Sequence, residues 1–470
     1  MGEHWHRPCV SFSPVLRIFR HYVPGLALLI FAGDQAIVAL SFLAADAGGM
    51  WVGAGATGPK LLLVAALVTF ALYLGDLYNM RLGLGRREMI ARLLICQGAA
   101  GIGIAAVGFA VPSLRLGRFA FFSIIMAATL GLAAWRAAWL SASAHDRMRL
   151  RVLVVGVGPV ARSIAELVPT SSRPFTIIGF LDDAPGAADS LPEGYELLAK
   201  TKDLTAIVEE THPDLVVVAQ IERRGQFPAK ALLDCRLRGI QVEDWPTFYE
   251  KATGKILVTS LRPSWLIFSD GFVKTRRTEL VKGFLDMGLA FLGLVLALPV
   301  MTAVAIAIKL DSRGPVLFRQ PRLGQNGSVF ILNKFRSMRQ DAERDTGPVW
   351  AQDRDPRITR IGAILRRTRL DELPQLFNVL VGHMSFIGPR PERPEFVYEL
   401  QKVIPFYMER LSVKPGITGW AQVKYRYGAS VDDALQKLQY DLYYIKNLSL
   451  FLDLLILLNT VQVVLFARGR

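Results

Sequence analysis

Gly283–Leu310 reads GFLDMGLAFLGLVLALPVMTAVAIAIKL, an apolar run long enough to cross a bilayer as a helix, with Pro299 near its middle. Arg276, Arg277 and Lys282 stand at one end, and Lys309, Arg313, Arg319 and Arg322 at the other. Both flanks are basic, so a simple crossing breaks the positive-inside rule at one end. Proline removes one helix hydrogen bond and kinks the axis. A helix that enters the membrane, breaks at Leu298-Pro299 and returns to the same face satisfies both facts. An ordinary kinked span is the other reading, and the stretch alone leaves the two open.

Four further apolar stretches precede it: about Val23–Ala45, Leu61–Leu77, Met89–Val111 and Phe119–Leu140. Each approaches the roughly 20 residues that a spanning helix needs. Ala45-Asp46-Ala47 resembles a signal cleavage site, but the first apolar run is too long for a signal peptide, and three more spans follow. Arg7, Arg17 and Arg20 precede the first stretch, Arg81, Arg86, Arg87 and Arg92 lie about the second loop, and Arg147, Arg149 and Arg151 follow the fourth. The other two loops carry Lys60, and Arg115 with Arg118. This places both ends of a four-helix transmembrane domain, residues 1–145, in the cytoplasm. Asp34 and Asp76 sit within or beside these spans. Helix–helix contact or an interfacial position is the plainer reading for them, and an ion path the sharper one.

The composition agrees with a membrane protein that also carries sizeable polar parts. Hydrophobic residues make up 52% and charged residues 20%, and the mean hydropathy is +0.32. The formal charge of +15 suits an anionic membrane face and phosphorylated substrates. Cys9, Cys96 and Cys235 are scattered, which indicates neither a disulfide framework nor a zinc site.

From Arg151 the pattern changes to short β-branched strands alternating with helices. Arg151–Val155 leads into Gly156-Val157-Gly158-Pro159-Val160-Ala161, and further strands are predicted at Phe175–Leu181, Leu215–Ala219 and Ile240–Val242. Residues 150–270 thus read as a Rossmann-like α/β domain. The glycine turn could cradle a pyrophosphate, with Asp182-Asp183 placed for a ribose. Pro159 argues for a structural or regulatory domain instead, because it removes an amide that a phosphate would use.

After Asp311 the chain is dense in arginine, glycine and proline. Gly314-Pro315-Val316-Leu317-Phe318-Arg319-Gln320 is followed by Asn333-Lys334-Phe335-Arg336-Ser337-Met338, then Arg366-Arg367-Thr368-Arg369-Leu370-Asp371-Glu372-Leu373-Pro374. Gly388-Pro389-Arg390-Pro391-Glu392 and Lys414-Pro415-Gly416-Ile417-Thr418-Gly419-Trp420 come next. Guanidinium forks hold phosphate oxygens, and a carboxylate pair can bind Mg²⁺ and supply a nucleophile. Taken singly, Asp371-Glu372 is an acidic helix start, Lys334 and Arg336 a solvated strand face, and Gly388–Pro391 a rigid turn. Their co-occurrence in one order is what points to a site.

That order closely resembles the bacterial sugar transferase family, the polyprenyl-phosphate phosphoglycosyl transferases with a monotopic catalytic domain. The resemblance covers about Thr275–Arg470. Residues 1–270 look like the large-form members, and the ending Tyr440–Lys446, Ser449–Leu458 and Val461–Phe466 looks like the exopolysaccharide branch. It implies a mainly helical catalytic domain, residues 275–470, with a re-entrant helix at about 283–310. The implied reaction passes sugar-1-phosphate from a UDP-sugar to undecaprenyl phosphate and releases UMP. Asp371 matches the family's nucleophile and would also hold Mg²⁺, and Glu372 matches the second acid of the dyad. Lys334, Arg336, Arg366 and Arg390 match substrate-binding basic positions. Where several members have Ser-Pro at the helix break, this chain has Leu298-Pro299, which keeps the kink and loses the serine hydroxyl.

Large-form relatives suggest a homodimer at the inner membrane, with the catalytic domain on the cytoplasmic side. A membrane-bound nucleotide-sugar dehydratase or epimerase is the enzyme rival, and it needs a second NAD domain with a Tyr-x-x-x-Lys pair. The one such pair, Tyr398–Lys402, has no glycine turn beside it. A non-catalytic assembly scaffold is the other rival. The basic residues show no aromatic platform, so no nucleic-acid partner is expected.

Overall fold

The computed structural model describes residues 15–18, 21–47, 57–78, 86–143, 150–170, 175–184, 187, 191, 193–219, 227–261, 263–339, 357–425, 428 and 430–465. Cys9 and the loop arginines Arg7, Arg20, Arg81, Arg147 and Arg149 lie outside these residues. Two compact units divide the chain, meeting in sequence between Thr253 and Gly254.

The first unit opens with two short paired strands, β1 (Val15–Ile18) and β2 (His21–Pro24). The helices α1 (Gly25–Ala47), α2 (Thr57–Leu74), α3 (Arg86–Ala110) and α4 (Arg118–Ser143) follow, close to the four apolar stretches. They share one core that includes Val38, Phe42, Val64, Val68, Leu93, Ile104, Ile124 and Leu132. Their outer faces are apolar too: Leu40, Leu62, Ile95, Ile102, Phe109, Phe122 and Leu130 are exposed. Helices that are apolar all round need an apolar surrounding, and each of the four is long enough to cross a membrane.

Asp34 is fully buried and meets Arg136 of α4 at 2.5 Å. Arg136 also donates to the Leu77 carbonyl just past α2, so one guanidinium ties three helices. Arg92 of α3 donates to the Gly75 carbonyl at 3.3 Å, a second cationic cap on the same helix end. Asp34 therefore serves helix–helix contact.

The middle part holds β3 (Leu150–Val155), α5 (Pro159–Thr170), β4 (Phe175–Leu181), β5 (Leu197–Ala199), α6 (Leu204–Thr211), β6 (Leu215–Val218), α7 (Ala229–Leu237), β7 (Gln241–Asp244) and α8 (Trp245–Thr253). The strands form one parallel sheet in the order β5-β4-β3-β6-β7, the doubly wound arrangement expected. Val152–Val155 are all fully buried, as a central parallel strand requires. The edge strand β5 is short and has no alternation, so it gave no sequence signal.

The glycine turn is closed by the protein itself. Gly156 donates to the Leu181 carbonyl at 2.7 Å, and Val157 to the Asp182 carboxylate at 2.5 Å. The other Asp182 oxygen accepts from Ala184 at 2.8 Å, and Asp183 accepts from Thr201 at 3.0 Å. With Pro159 lacking an N–H, three of the turn's residues offer no amide to a nucleotide pyrophosphate in this arrangement.

The second unit starts before the expected boundary. Ile256 and Val258 are buried with Leu438 and Leu442, and α9 (Pro263–Phe268) follows. Then α10 (Arg276–Asp311), capped by Thr275, whose hydroxyl accepts from Thr278, runs as one helix through Pro299, so the break expected at Leu298-Pro299 is not there. Loss of one amide leaves the remaining ladder in place, and the Thr302 hydroxyl bonds the Leu298 carbonyl at 2.9 Å, a back-bond that tends to bend helices. Both ends of α10 rest on the same body. Lys282 pairs with Asp453 at 2.8 Å, Phe386 donates to Asp286 at 3.2 Å, and Ile361 donates to Asp311 at 3.3 Å. Between these ends, Val295, Leu296, Leu298 and Val300 are exposed.

The rest comprises an antiparallel ribbon, β8 (Leu317–Leu323) with β9 (Val329–Phe335), then α11 (Arg360–Thr368), α12 (Gln375–Leu380), β10 (Ser385–Ile387), α13 (Pro394–Val403), β11 (Gly416–Thr418), α14 (Trp420–Lys424), α15 (Val431–Lys446) and α16 (Leu450–Leu465). The short strands β10 and β11 pair in parallel.

Asp34→Ala leaves the Arg136 charge buried and unpaired, which costs about 3–5 kcal/mol for such a pair. Thermal unfolding of detergent-solubilised protein is expected to fall sharply for Asp34→Ala, and to recover most of the loss in Asp34→Leu/Arg136→Met.

Candidate active site

Strand β9 places Phe330, Leu332 and Lys334 on one inward face, the first two buried. A lysine in line with core residues is a candidate for a buried charge partner, and Lys334 finds one. Its ammonium donates to Glu372 Oε1 at 3.1 Å. The solvated-face reading of Lys334 is thus replaced by an inward one.

Asp371 and Glu372 lie on a single 3₁₀ turn, Leu370–Glu372, between α11 and α12. Arg369 enters that turn with φ of 59°, a left-handed conformation that is uncommon for a side-chain-bearing residue. Helix α11 is fixed upstream: Thr359 caps it by accepting from Gly362 at 3.0 Å. A Cβ on Gly362 would stand 2.0 Å from the Ser337 carbonyl, so only glycine lets α11 approach that closely. One turn on, Arg366 Nε reaches the Ser337 hydroxyl at 3.0 Å.

Arg390 comes from the loop after β10 and meets Glu372 Oε1 at 3.2 Å, and Arg369 stands 3.7 Å from the same oxygen. The structure thus brings Lys334 and Arg390 onto Glu372, with Arg366 close enough to act on Asp371. Arg336 is placed elsewhere. It is 4% exposed and forks onto the Ser312 and Arg313 carbonyls at 2.8 and 2.9 Å, at the C-terminal end of α10. Cations suit that end of a helix. Pro299 lies in the exposed middle of α10. Arg369 joins the cluster without having been singled out; its place follows from the left-handed turn, which composition does not reveal.

Burial and charge push the two acids apart. Burial raises the Asp371 carboxyl above the usual carboxylate range; Lys334 offsets this in part, and neighbouring Glu372 adds to it. Burial acts on Glu372 in the same direction, but Lys334, Arg390 and Arg369 outweigh it and hold that carboxyl well below the range. Lys334 is itself lowered, chiefly by burial, against the pull of Glu372. Asp371 is 7% exposed, and its Oδ1 has no hydrogen-bond partner among the described residues. An unbonded carboxylate oxygen beside fixed cations is open to an attacking role or to a metal, but Asp34 Oδ1 beside Arg136 and Glu243 Oε2 beside Lys251 are also unbonded, so what sets Asp371 apart is the cluster of Glu372, Lys334 and Arg390 around it. Among the described residues no three acids or metal-binding side chains cluster, so a bound Mg²⁺ would draw on Asp371 and substrate phosphates.

Tyr398 and Lys402 lie on α13, where Tyr398 is half exposed and Lys402 pairs with Glu399 at 2.7 Å. They build no site.

Residues 277–467 match the family model of the bacterial sugar transferases, and residues 74–221 match a model described as a CoA-binding domain. The second match includes the glycine turn that Asp182 closes. The chain is 43% identical over 51% of its length to the UDP-N-acetylgalactosamine-undecaprenyl-phosphate N-acetylgalactosaminephosphotransferase of Aeromonas hydrophila, covering 55% of that protein. It is 36% identical over 69% of its length to the undecaprenyl-phosphate glucose phosphotransferase of Komagataeibacter xylinus, covering 60% of it. The chain thus spans little more than half the length of these two relatives. An exopolysaccharide production protein of Rhizobium leguminosarum bv. phaseoli is 47% identical over 36% of the chain, and there the match covers 86% of the relative. The chain belongs to the bacterial sugar transferase family.

Proposed function

We propose that the chain transfers sugar-1-phosphate from a UDP-sugar to undecaprenyl phosphate, with release of UMP, as the first membrane step of exopolysaccharide assembly. The observation that carries this is the bare, buried Oδ1 of Asp371 beside Glu372 and its cations. Relatives whose names specify undecaprenyl-phosphate sugar phosphotransfer support the substrate class. They differ in the sugar named, so the sugar stays unassigned.

In this reading an Asp371 oxygen attacks the β-phosphorus of the UDP-sugar. The bond from that phosphorus to the bridging oxygen breaks, and UMP leaves with it. An oxygen of undecaprenyl phosphate then attacks the same phosphorus, the aspartyl–phosphate bond breaks, and the carboxylate is restored. Glu372 stays ionised and orients Lys334 and Arg390 toward the phosphates, where fixed cations offset developing charge. Arg366 helps keep Asp371 available as an anion. A bound Mg²⁺ would neutralise diphosphate charge.

The proposed membrane arrangement rests on α10. A straight helix from Lys282 to Asp311 measures about 44 Å, against about 30 Å of hydrocarbon. Polar contacts to one body at both ends, with exposed apolar residues between, favour a helix that dips into one leaflet over a crossing. With α1–α4 read as a four-helix transmembrane bundle, the loop charges support a catalytic part on the cytoplasmic side of the inner membrane. A homodimer is part of the same proposal, drawn from the large-form resemblance.

Membranes containing the chain are expected to release UMP from a matching UDP-sugar only when undecaprenyl phosphate is present. Asp371→Asn is expected to reduce that rate on the order of a thousandfold or more. Unchanged turnover in Asp371→Asn removes the nucleophile, and lipid-linked sugar absent with every UDP-sugar removes the reaction.

The pH profile should be a bell. Asp371 must be ionised to attack; burial raises its carboxyl and a bound Mg²⁺ would lower it, so the acid limb should move to higher pH as Mg²⁺ is withdrawn. Lys334 must stay charged and is lowered, so the alkaline limb lies below an ordinary lysine's range. Lys334→Arg, which keeps its charge at high pH, should abolish the alkaline limb in UMP-release assays.

A further inference from the structure

The loop that carries Arg390 is held at four consecutive carbonyls. Pro389 accepts from the Gly416 amide at 2.9 Å and Glu392 from the Leu323 amide at 3.1 Å. Between them, the Arg390 carbonyl accepts from Arg410 Nη2 at 3.2 Å, and the Pro391 carbonyl from Arg322 Nη1 at 3.2 Å. Prolines at 389 and 391 have no N–H, so this segment cannot brace itself as a strand and depends on donors from elsewhere. The glycines allow those donors to come near: a Cβ on Gly416 would stand 2.1 Å from the Gly388 nitrogen.

Arg410 is the least ordinary of the four donors. It lies in the turn Tyr407–Ser412, 5% exposed, far in sequence from the dyad. Asp441 of α15 orients it through Nε at 3.1 Å and Nη2 at 2.9 Å, and the Tyr407 hydroxyl accepts from Nη1 at 2.8 Å. A buried ion pair adds little net stability, and apolar residues of similar size usually serve as well. Stability does not explain why this one is here. Geometry does, because a guanidinium held on one side by Asp441 and Tyr407 presents a fixed N–H on the other.

We propose that Arg410, oriented by Asp441, is a positioning residue that sets the reach of Arg390 toward Glu372 and the substrate phosphates. The inference rests on the phosphotransfer reading above. Arg410 touches no reacting atom; it acts through the Arg390 backbone.

The test is a double-mutant cycle on the full chain in detergent, with the UDP-sugar concentration varied at saturating undecaprenyl phosphate. Arg410→Lys keeps a positive charge near Asp441 and loses the fork. It is expected to raise KM for the UDP-sugar about tenfold, the scale of a misplaced binding group. In an Arg390→Ala background the same change should add less than about twofold, because nothing is left to position. If Arg410→Lys unfolds the chain, Arg410→Met/Asp441→Leu removes tether and charge pair together and enters the same cycle. Equal losses in both backgrounds, or wild-type kinetics in Arg410→Lys, overturn the positioning role. A wild-type chain that releases no UMP overturns the phosphotransfer reading, and this inference falls with it.

Discussion

One oxygen organises the second unit of this chain. Glu372 Oε1 receives Lys334 from β9 at 3.1 Å and Arg390 from the loop after β10 at 3.2 Å, with Arg369 at 3.7 Å from its own turn. Lys334 and Arg390 come from sequence positions well away from Glu372, and each cation would be costly to bury alone. A single carboxylate that stays ionised resolves this, and its cations hold it well below the usual carboxylate range. The adjacent residue gains what is left over. Asp371 is carried into the same buried place by a left-handed entry at Arg369, and its Oδ1 has nothing to bond among the described residues.

The same scaffold explains how a long apolar helix is kept in register with that turn. Helix α10 buries Ala290 against Phe330, Val379 and Met384, and Val304 with Ile308 against Phe335 and Leu365. Polar pins fix both ends, and Arg336 adds the last one by bonding the carbonyls of Ser312 and Arg313. The next residue, Ser337, receives Arg366 and lies against Gly362. The end of α10 and the helix that leads into the Asp371-Glu372 turn therefore share one short connection, so displacing either moves the other.

Much of this was legible before any coordinates. Length and hydropathy placed α1–α4 within a few residues, because a spanning helix has a signal as long as itself. The β-branched runs placed β3, β4 and β6 for the same reason. Ordered motifs brought Lys334, Arg366, Arg390 and the acid pair into one candidate site. What stayed hidden depends on direction and not on residue type. Lys334 and Arg336 share a motif and a parity, yet one points to Glu372 and the other to the end of α10, since β9 ends between them at Phe335. Arg369 matters through its φ, and Arg410 through a carbonyl many residues away, and neither leaves a pattern in the chain.

Two acid pairs show why the difference matters. Asp182-Asp183 follows strand β4 beside a glycine turn, and Asp371-Glu372 follows helix α11 beside arginines. By sequence each could hold a phosphate compound or its metal. In the structure both Asp182 oxygens accept backbone amides, at 2.5 and 2.8 Å, and Asp183 accepts another. Those three oxygens serve the fold of their own domain. Asp371 is as buried as Asp182, yet it keeps one oxygen unbonded among the described residues. A buried carboxylate is tolerated in that state only where a neighbouring charge compensates it or a partner is still to bind. Lys334 and Arg366 supply the first condition in part, and the residual upward push on the Asp371 carboxyl shows that they do not complete it. The unmet remainder supports the proposed substrate contact at Asp371, and Asp182, with both oxygens bonded, lacks that feature.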